Sequence, residues 1–388
     1  MSTTCDVLVV GAGLAGLRVA TRLAANGHEV VLVDRRHDLA AAVRTTGIFV
    51  RRTLVDFDLP EEHLGPPIRR VVLYPPSLRR PVDLASDVDE FRVGDMGPLY
   101  VASQAAAERA GVRVLLGARL DGLLRTPAGV VVRLEGPDGA GHVWCRFVVG
   151  ADGARSRVAR ELGLDRNTHL LVGAEEVFGV APQDREPTFH CVVDPRLAPG
   201  YLAWVVDDGR HAHVGTAGYA HRFASPLRRV VQDVHEVARS VGVRRPADVG
   251  VEQRGGPIPV GGLLRRIASP AGLLVGDAAG AVSPLTAGGL DPCLRLSDHA
   301  ADVLTDALRT GRSDALRHYD GAALRARFRG RLLLRDGLAR VRGSRQAEAA
   351  FAALRTGPGR ALARRVLFGD GSFPDPRPVP VPVGAVRR

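Results

Sequence analysis

A glycine-rich turn near the start of the chain constrains its fold more than any other feature. Residues 5–10 have the pattern of a buried parallel strand, and Gly11, Gly13 and Gly16 follow with the spacing GxGxxG. A second predicted strand ends in Asp34, 18 residues after Gly16. Such glycines let a pyrophosphate approach the backbone, and the acid is placed to bind a ribose hydroxyl. The sequence therefore predicts a βαβ unit that binds a dinucleotide.

A second loop of small residues lies about three quarters of the way along the chain. The apolar run 273–275 ends in Gly276-Asp277, and a loop of glycine, proline and small residues leads to a helix that begins near Leu290. Glycines let a flat ring lie close to the backbone, and the free amides of a helix N-terminus favour negative charge. The pattern is typical of a binding site for a reduced flavin. An ordinary strand-to-helix turn would show the same pattern.

Between these loops, strand and helix patterns alternate. Residues 148–150 have a strand pattern that ends in the turn Asp152-Gly153, and Ser156 falls in the first turn of the next predicted helix. The remaining patterns predict a hairpin over 68–84 and a hairpin turn at 207–209, strands over 112–116, 130–134, 143–149, 170–219 and 250–260, and helices over 98–110, 226–240 and 311–367. The tail 371–388, with proline at every second position from 374 to 382, is expected to be extended or disordered.

The amino-acid composition limits which classes of protein this chain can belong to. The 388 residues are 45% hydrophobic and 24% charged, which is typical of a globular chain with two or more lobes. No apolar run reaches the roughly 18 residues of a membrane span, and the apolar stretch 7–10 is too short for an export signal. The four cysteines are far apart in the sequence and form no CxxC pair. We therefore expect a cytoplasmic protein without a metal site or a disulfide framework.

The positive charge is concentrated near the C-terminus. The chain contains no lysine, and residues 321–370 hold 12 arginines against three carboxylates, a net charge of +9 within a total of +11. A solvated helix face explains such a segment, and so does a contact with an anionic membrane surface or with an acidic substrate or carrier. Few aromatic residues interleave the arginines, which argues against nucleic acid.

Three motifs occur in a fixed order: GxGxxG at 11–16 with Asp34, Asp152-Gly153, and Gly276-Asp277. This order resembles the flavoprotein superfamily that includes para-hydroxybenzoate hydroxylase. Within it, the loop 276–290 and the strand pair 199–215, with Tyr201 and Trp204, are similar to the geranylgeranyl reductase family. Two positions depart from that family. Thr45-Thr46-Gly47 stands where a cysteine is frequent, and Met96 or Gly97 stands where an arginine is usual.

The resemblance implies FAD as the cofactor and a set of contacts to it. The glycine turn would bind the pyrophosphate, and Asp34 the adenosine ribose. Leu120 would contact the adenine through its backbone, Asp277 would bind the ribityl chain, and the amides after Pro284 would face the pyrimidine edge. The implied FAD-binding residues are Gly11, Gly13, Ala15, Gly16, Asp34, Arg44, Thr45, Thr46, Gly47, Leu120, Asp152, Gly153, Asp277, Pro284, Gly288, Gly289 and Leu290. With no second dinucleotide fingerprint, NAD(P)H or another reductant would bind only transiently as the electron donor.

Candidates for the substrate pocket are Tyr201 and Trp204, and no catalytic acid or base stands out. Because strand side chains alternate, only one of Glu175 and Glu176 can face inward, and neither is favoured as catalytic. The pairs His190-Cys191 and His211-His213 are interpreted as core or surface strand residues, the latter pair as exposed. His299 is interpreted as a packing residue.

Three functions fit this pattern. The favoured one is hydride transfer from reduced FAD to a C=C bond of a hydrophobic substrate, either an isoprenoid or a secondary metabolite. The first alternative is a monooxygenase that hydroxylates or epoxidises such a substrate through a flavin C4a-hydroperoxide. The second is a non-redox protein, a cyclase or a binding protein that carries FAD. Either redox reaction needs a water-poor pocket over the flavin.

The predicted fold class is α/β, with a Rossmann-type FAD-binding domain, an interleaved antiparallel-sheet substrate domain and C-terminal helices. The predicted domain boundaries are 1–65, 95–162 and 268–310 for the FAD-binding domain, 66–94 and 163–267 for the substrate domain, 311–370 for the basic C-terminal helices, and 371–388 for the proline-rich tail.

Overall fold

The computed structural model describes residues 2–41, 43–137, 139–180, 186–326 and 328–368. The predicted tail 371–388 lies outside the described residues. The strands are β1 (Ser2–Val10), β2 (Val30–Asp34), β3 (Ile48–Val50), β4 (Leu64–Ile68), β5 (Arg70–Tyr74), β6 (Val82–Ala85), β7 (Phe91–Gly94), β8 (Arg113–Leu116), β9 (Arg119–Thr126), β10 (Gly129–Gly136), β11 (Gly139–Gly150), β12 (Leu170–Gly179), β13 (Thr188–Val192), β14 (Ala203–Asp207), β15 (His211–Gly218), β16 (Glu252–Pro259), β17 (Ala268–Ser269) and β18 (Gly272–Leu274).

The α-helices occupy the stretches where apolar residues recur at helical spacing. They are α1 (Leu14–Ala25), α2 (Arg51–Asp56), α3 (Met96–Arg109), α4 (Arg157–Leu162), α5 (Leu227–Ser240), α6 (Leu290–Thr310), α7 (Gly321–Ala326), α8 (Arg329–Arg340), α9 (Ser344–Leu354) and α10 (Gly357–Leu367).

The first sheet has a parallel centre, as the βαβ pattern predicts. Its order is β17-β18-β11-β1-β2-β8, with β10 and β9 added beside β11. The pairs β1·β11, β1·β2, β2·β8 and β11·β18 are parallel. The central strands are buried on both sides, and their side chains share one apolar core with α1 and α6. Because β1, β11 and β18 are neighbours, the three motifs that follow them meet at one edge of the sheet.

The second sheet has the order β16-β12-β15-β14-β13-β5-β6 and is antiparallel except for the pair β13·β5. Its back face packs against α5. Its front face packs against residues of α8, α9 and α10. A third sheet, β3-β7-β4, completes the strand structure. The α/β fold class with a parallel sheet is confirmed, and the domain boundaries stay a prediction.

The basic C-terminal helices are attached through their arginines. Arg355 donates to the carbonyl of Arg80 at 2.8 Å, Arg360 to that of Asp83 at 3.0 Å, and Arg364 to that of Ala85 at 2.6 Å. All three carbonyls belong to β6 or the turn before it. Arg360 and Arg364 remain exposed, so these arginines bind the second sheet at a solvated surface, and the interpretation of the segment as a solvated face stays a prediction. Among the described residues, no helix combines the length and the apolarity needed to cross a membrane.

Candidate active site

The first motif, the glycine turn at 11–16, brings backbone segments so close together that no side chain fits between them. Gly11 has φ +107°, and a Cβ atom there would lie 2.3 Å from the carbonyl oxygen of Ala151. A Cβ atom on Gly16 would lie 1.8 Å from the carbonyl oxygen of Gly11. At Gly13, by contrast, a Cβ atom would meet nothing within 4 Å. The turn is thus closed on the side of β11 and open at Gly13, beside the start of α1 and Ala15.

Asp34 lies next to this turn, but its carboxylate is already hydrogen-bonded within the protein. One oxygen accepts from the Ala12 amide at 2.7 Å, and the other from the Arg36 amide and Nε at 2.8 and 3.0 Å. Although burial opposes it, the Arg36 contact lowers the pKa of Asp34. Arg36 also donates from Nη2 to Asp34 and to the Ala12 carbonyl. A ribose bound to Asp34 would have to take over one of the bonds from Arg36, a residue that sequence reasoning missed.

The second motif is adjacent to the first. The Asp152 carboxylate accepts from the amides of Arg157 and Val158 and from Ser156 Oγ, so it caps α4. Gly153 has φ +83° with open space at its Cβ position. Leu120 lies in β9, directly after the segment whose Ala118 amide donates to the Asp34 carbonyl. These positions lie around the same glycine turn, and their contacts to FAD stay a prediction.

The third motif presents a carboxylate without a donor. No described residue donates a hydrogen bond to the Asp277 carboxylate, and burial raises its pKa to about 6. The backbone around it is fixed, since Asn167 Nδ2 donates to the Asp277 carbonyl at 2.8 Å and to the Ala154 carbonyl at 3.1 Å. Asn167 therefore links the second motif to the third, and no motif in the sequence indicated it.

The loop after Asp277 ends at the N-terminus of α6 with free amides. No described group accepts a hydrogen bond from the amides of Gly288, Gly289 or Leu290. The loop is closed by the Ser283 amide, which donates to the Gly288 carbonyl at 3.0 Å. Pro284 lies against Gly262, where a Cβ atom would be 3.5 Å from the proline ring.

The loop 43–47 joins the FAD side of the molecule to the second sheet. Arg44 is exposed, and the Thr45 carbonyl accepts from Arg254 Nη1 at 3.1 Å. The hydroxyl of Thr46 donates to Glu175, and Gly47, with φ +86°, accepts from the Gly94 amide. Shortly after this loop, the Thr53 hydroxyl donates to Asp291 in the first turn of α6 at 3.0 Å, which connects this part of the chain to the helix that follows the third motif.

These features fit FAD. The open space at Gly13 suits a pyrophosphate, the Asp277 carboxylate suits a ribityl hydroxyl, and the free amides at 288–290 suit the electron-rich edge of a reduced flavin. Asp277 is half-buried and Gly288 is exposed, so these groups are open to a ligand, and a ligand that hydrogen-bonds to them stabilises the folded chain.

The front face of the second sheet lies opposite the flavin loop. Tyr201 is 7% exposed and its hydroxyl donates to the Thr286 carbonyl at 2.5 Å. Trp204 is 9% exposed, and its indole lies across Gly215, where a Cβ atom would be 2.5 Å from the ring. Arg335 of α8 is 3% exposed, with its guanidinium 5.7 Å from the Tyr201 ring centre. Tyr201 therefore contacts the flavin loop and Trp204 packs across β15, and the role of both in substrate binding stays a prediction.

Sequence reasoning missed a buried charge network on the same face. Glu175 Oε2 accepts from Trp204 Nε1 at 2.8 Å and from Thr46, and Glu175 Oε1 lies 3.2 Å from His213 Nδ1. His213 Nε2 lies 3.6 Å from an oxygen of Asp208. The expectation that His213 is exposed is wrong, because it is 3% exposed and its neighbour His211 alone faces solvent. Strand alternation predicted that only one of Glu175 and Glu176 faces inward, and the structure shows that this residue is Glu175, which is 5% exposed.

The other titratable residues have packing roles. Glu176 points to the back face and bonds His235 at 2.9 Å. His190 lies 3.1 Å from the Tyr74 hydroxyl, and His299 stacks on Tyr319, as expected for a packing residue. All four cysteines are free and buried. Among the described residues, no group of His, Cys, Asp and Glu could hold a metal ion.

Comparison with known proteins agrees with this cofactor site. A family model described as an FAD binding domain matches residues 102–328, more than half of the chain, and one described as an FAD dependent oxidoreductase matches residues 6–78. The protein is an FAD-dependent oxidoreductase, and FAD is its cofactor.

Two relatives narrow the class. Digeranylgeranylglycerophospholipid reductases 2 and 1 of Methanopyrus kandleri are 31% and 33% identical over 318 and 314 residues, each covering 78% of this chain. The alignments cover 77% and 81% of those proteins. The chain therefore belongs to the geranylgeranyl reductase family of FAD-dependent oxidoreductases.

Solved structures show the same fold. A geranylgeranyl bacteriochlorophyll reductase-like protein from Thermoplasma acidophilum superposes with a TM-score of 0.82 at 19% identity, covering 95% of this chain and 97% of that one. A p-nitrophenol 4-monooxygenase from Pseudomonas putida gives a TM-score of 0.65 at 19% identity, with coverages of 97% and 95%. Reductases and monooxygenases thus share this architecture.

Proposed function

We propose that this enzyme transfers hydride from reduced FAD to a C=C bond of a hydrophobic, isoprenoid-type substrate. The observation that carries the proposal is the apolar front face of the second sheet, which lies opposite the flavin loop. Side chains of β12, β13, β14 and β15 form one cluster there with Ala287 of the loop and with the C-terminal helices. The family relatives, named for the reduction of a digeranylgeranyl lipid, support the same substrate class.

FAD, when bound, supplies the hydride. The chain's own groups hold it and keep water away. Gly13 and the start of α1 receive the pyrophosphate, Asp277 orients the ribityl chain, and the amides at 288–290 stabilise the negative edge of the reduced ring. Tyr201 packs against the loop, and Trp204 adds buried aromatic surface beside it on the same face, which would exclude water from the transfer.

The electron donor and the domain division belong to the same proposal. We infer that NAD(P)H or a similar reductant reduces the flavin by transient contact. The predicted boundaries 1–65, 95–162 and 268–310 would hold the flavin, and 66–94 and 163–267 would hold the substrate. The first sheet, which carries all three motifs, and the front face of the second sheet support this division.

Oxygen dependence tests the proposed reaction against its main alternative. We expect the dithionite-reduced enzyme to saturate a geranylgeranyl diphosphate probe under strict anaerobiosis, with no oxygen incorporated into the product, because hydride transfer uses no O2. Products are measured by mass spectrometry and O2 uptake by an electrode. Oxygen incorporation into product, with no turnover under anaerobiosis, would identify a monooxygenase instead. Turnover with permanently oxidised FAD would identify a non-redox function.

A hydrophobic substrate of this size resides in membranes, and we propose that the C-terminal helices contact an anionic membrane surface; an acidic carrier is the alternative. Arg340, Arg342 and Arg345 are exposed, and Leu333 and Leu334 of α8 are 72% and 40% exposed. Basic side chains beside exposed apolar ones suit the boundary between headgroups and acyl chains.

Vesicle sedimentation tests this contact. Each basic residue near an anionic surface contributes about 1 kcal/mol, so Arg340→Glu with Arg342→Glu should weaken binding to phosphatidylglycerol vesicles by at least about tenfold. The matched control is Arg309→Glu at the exposed end of α6, which should bind like the wild type. Equal binding to neutral phosphatidylcholine vesicles, or an unchanged double variant, would contradict the proposed contact.

A further inference from the structure

A cavity of about 100 Å³ lies on the far side of the loop 43–47. Its walls come from the ends of β7, β15 and β16, and two of its lining residues, Asp208 and His213, are buried. Arg210 and His211, which also line it, are exposed, so the cavity reaches the surface. A polar space of this size has room for several water molecules.

A continuous chain of polar atoms leads from this cavity to the predicted flavin site. His213 Nε2 has no hydrogen-bond partner among the described residues, although the side chain is 3% exposed and lines the cavity. His213 Nδ1 lies 3.2 Å from Glu175 Oε1, and the other Glu175 oxygen accepts from the Thr46 hydroxyl. Thr46 belongs to the segment 44–47, which the family resemblance implies is part of the FAD site.

We propose that Glu175 and His213 form a proton relay that joins the cavity to Thr46 at the flavin site. The proposal rests on the proposed function, because saturation of a C=C bond needs one hydride and one proton. Reduced FAD gives the hydride to one carbon and becomes oxidised, and the second carbon takes the proton. A pocket closed to water has to receive that proton through the protein.

Each transfer is balanced along the chain. Glu175 begins ionised, and His213 begins as an imidazolium with a proton on each ring nitrogen. The Nδ1 proton of His213 moves to Glu175 Oε1; after the carboxyl group rotates, Glu175 passes this proton to Thr46 Oγ as the Thr46 hydroxyl proton leaves toward the flavin side. The imidazole keeps its Nε2 proton, and after its ring turns over it takes a solvent proton from the cavity on the other nitrogen. Glu175 then ends ionised and His213 ends protonated, as they began.

The charges around His213 keep the relay loaded near neutral pH. Burial alone would lower the pKa of His213, but the carboxylates of Asp208 and Glu175 outweigh it and raise this pKa to about 9. His213 Nε2 faces Asp208, and the other charged or titratable groups around the cavity are His63, Asp95, Arg210, His211, Glu252 and Arg254. The imidazolium persists below about pH 9, so the relay should fail above that pH.

The test removes the His213 side chain by substitution and then supplies free imidazole in solution. We expect His213→Ala to slow anaerobic reduction of geranylgeranyl diphosphate by about 100-fold, with the fall in rate above pH 9 abolished. Free imidazole, which fits the enlarged cavity, should restore at least about tenfold of that loss. In the FAD-free protein, ¹⁵N NMR should show wild-type His213 titrating near pH 9, and imidazole should raise the Tm of His213→Ala.

The back face of the same strand provides the matched control. Glu176 and His235 form a half-buried Glu–His pair at 2.9 Å on the back face of the sheet, away from the flavin loop. Glu176→Gln and His235→Ala should keep the wild-type rate and pH profile. If His213→Ala does not fold, Thr46→Val carries the test, with a similar loss expected.

Several results would overturn the relay: a rate within twofold of the wild type for His213→Ala or Thr46→Val, no rescue by imidazole, or a His213 that titrates near its ordinary pKa. If the wild-type enzyme reduced no polyprenyl double bond, the proposed function would fail by itself. The relay would then be judged on reoxidation of the enzyme's reduced FAD by O2, a reaction that consumes one proton and yields hydrogen peroxide. Loss of the proton dependence of that rate in His213→Ala would support the relay.

Discussion

Asp277→Ala is expected to give a folded protein that retains almost no FAD. The Asp277 carboxylate has no donor among the described residues and lies between the glycine turn and the loop that leads to α6. A hydrogen bond between a charged group and a ligand hydroxyl is worth about 1.5–3 kcal/mol, so the Kd for FAD should rise by at least about tenfold. The ratio of flavin absorbance to protein absorbance after dialysis measures the loss.

The same substitution should make the FAD-free protein more stable at neutral pH. Burial raises the pKa of Asp277 in the folded chain to about 6, from its ordinary value of 3.8. The folded state therefore disfavours the ionised form, and the free energy of unfolding falls as the pH rises from about 4 to 6. Removal of the carboxyl should recover about 2 kcal/mol at pH 7 and little at pH 4, as urea unfolding would show.

Asp306→Ala is the matched control, since this aspartate is exposed on α6, far along the helix from the loop. It should keep both FAD content and stability. Stoichiometric FAD in Asp277→Ala, or a loss of stability at pH 7 equal to that at pH 4, would contradict the assignment of this carboxylate to the cofactor.

The sequence predicted the parallel sheet well because its signals are local. Residues 5–10 and the GxGxxG turn specify a strand, a close approach and a helix within a few residues, and the structure has β1 and α1 there. The order of the three motifs also indicated that they meet, since parallel strands place their carboxyl ends at one edge. The cofactor is confirmed, whereas the individual FAD contacts stay predictions.

The parts that the sequence did not reveal depend on partners distant along the chain. Glu175 and His213 become a buried pair only because β12 and β15 are neighbours in register, 38 residues apart. Gly215 has no local signature either, yet its missing side chain lets the Trp204 indole reach Glu175. Arg36 and Asn167 likewise bond to carbonyls of residues that are distant in the sequence. Burial of a histidine between two carboxylates cannot be read from an alternating strand.

Substitutions in the glycine turn should have the second large effect. Two of them, at Gly16 and at Gly13, should affect folding and cofactor binding separately. Gly16→Ala is expected to destabilise the protein by about 3 kcal/mol or more, because its Cβ atom would lie 1.8 Å from the carbonyl oxygen of Gly11, an atom of the backbone. Helix α1 would have to shift away from the turn that β1 and β11 hold in place. Urea unfolding of the FAD-free protein measures this loss.

Gly13→Ala is the matched variant, at another glycine of the same turn. Its Cβ atom would meet no protein atom within 4 Å, and Gly13 has φ −76°, a conformation that alanine adopts without strain. The unfolding free energy should change by less than about 1 kcal/mol, mainly through the weaker N-cap. FAD binding should nevertheless weaken by at least about tenfold, because the methyl group occupies the space expected for the pyrophosphate. If Gly13→Ala bound FAD like the wild type, the open side of the turn would not be where the pyrophosphate lies, and the cofactor would have to enter on another side of α1.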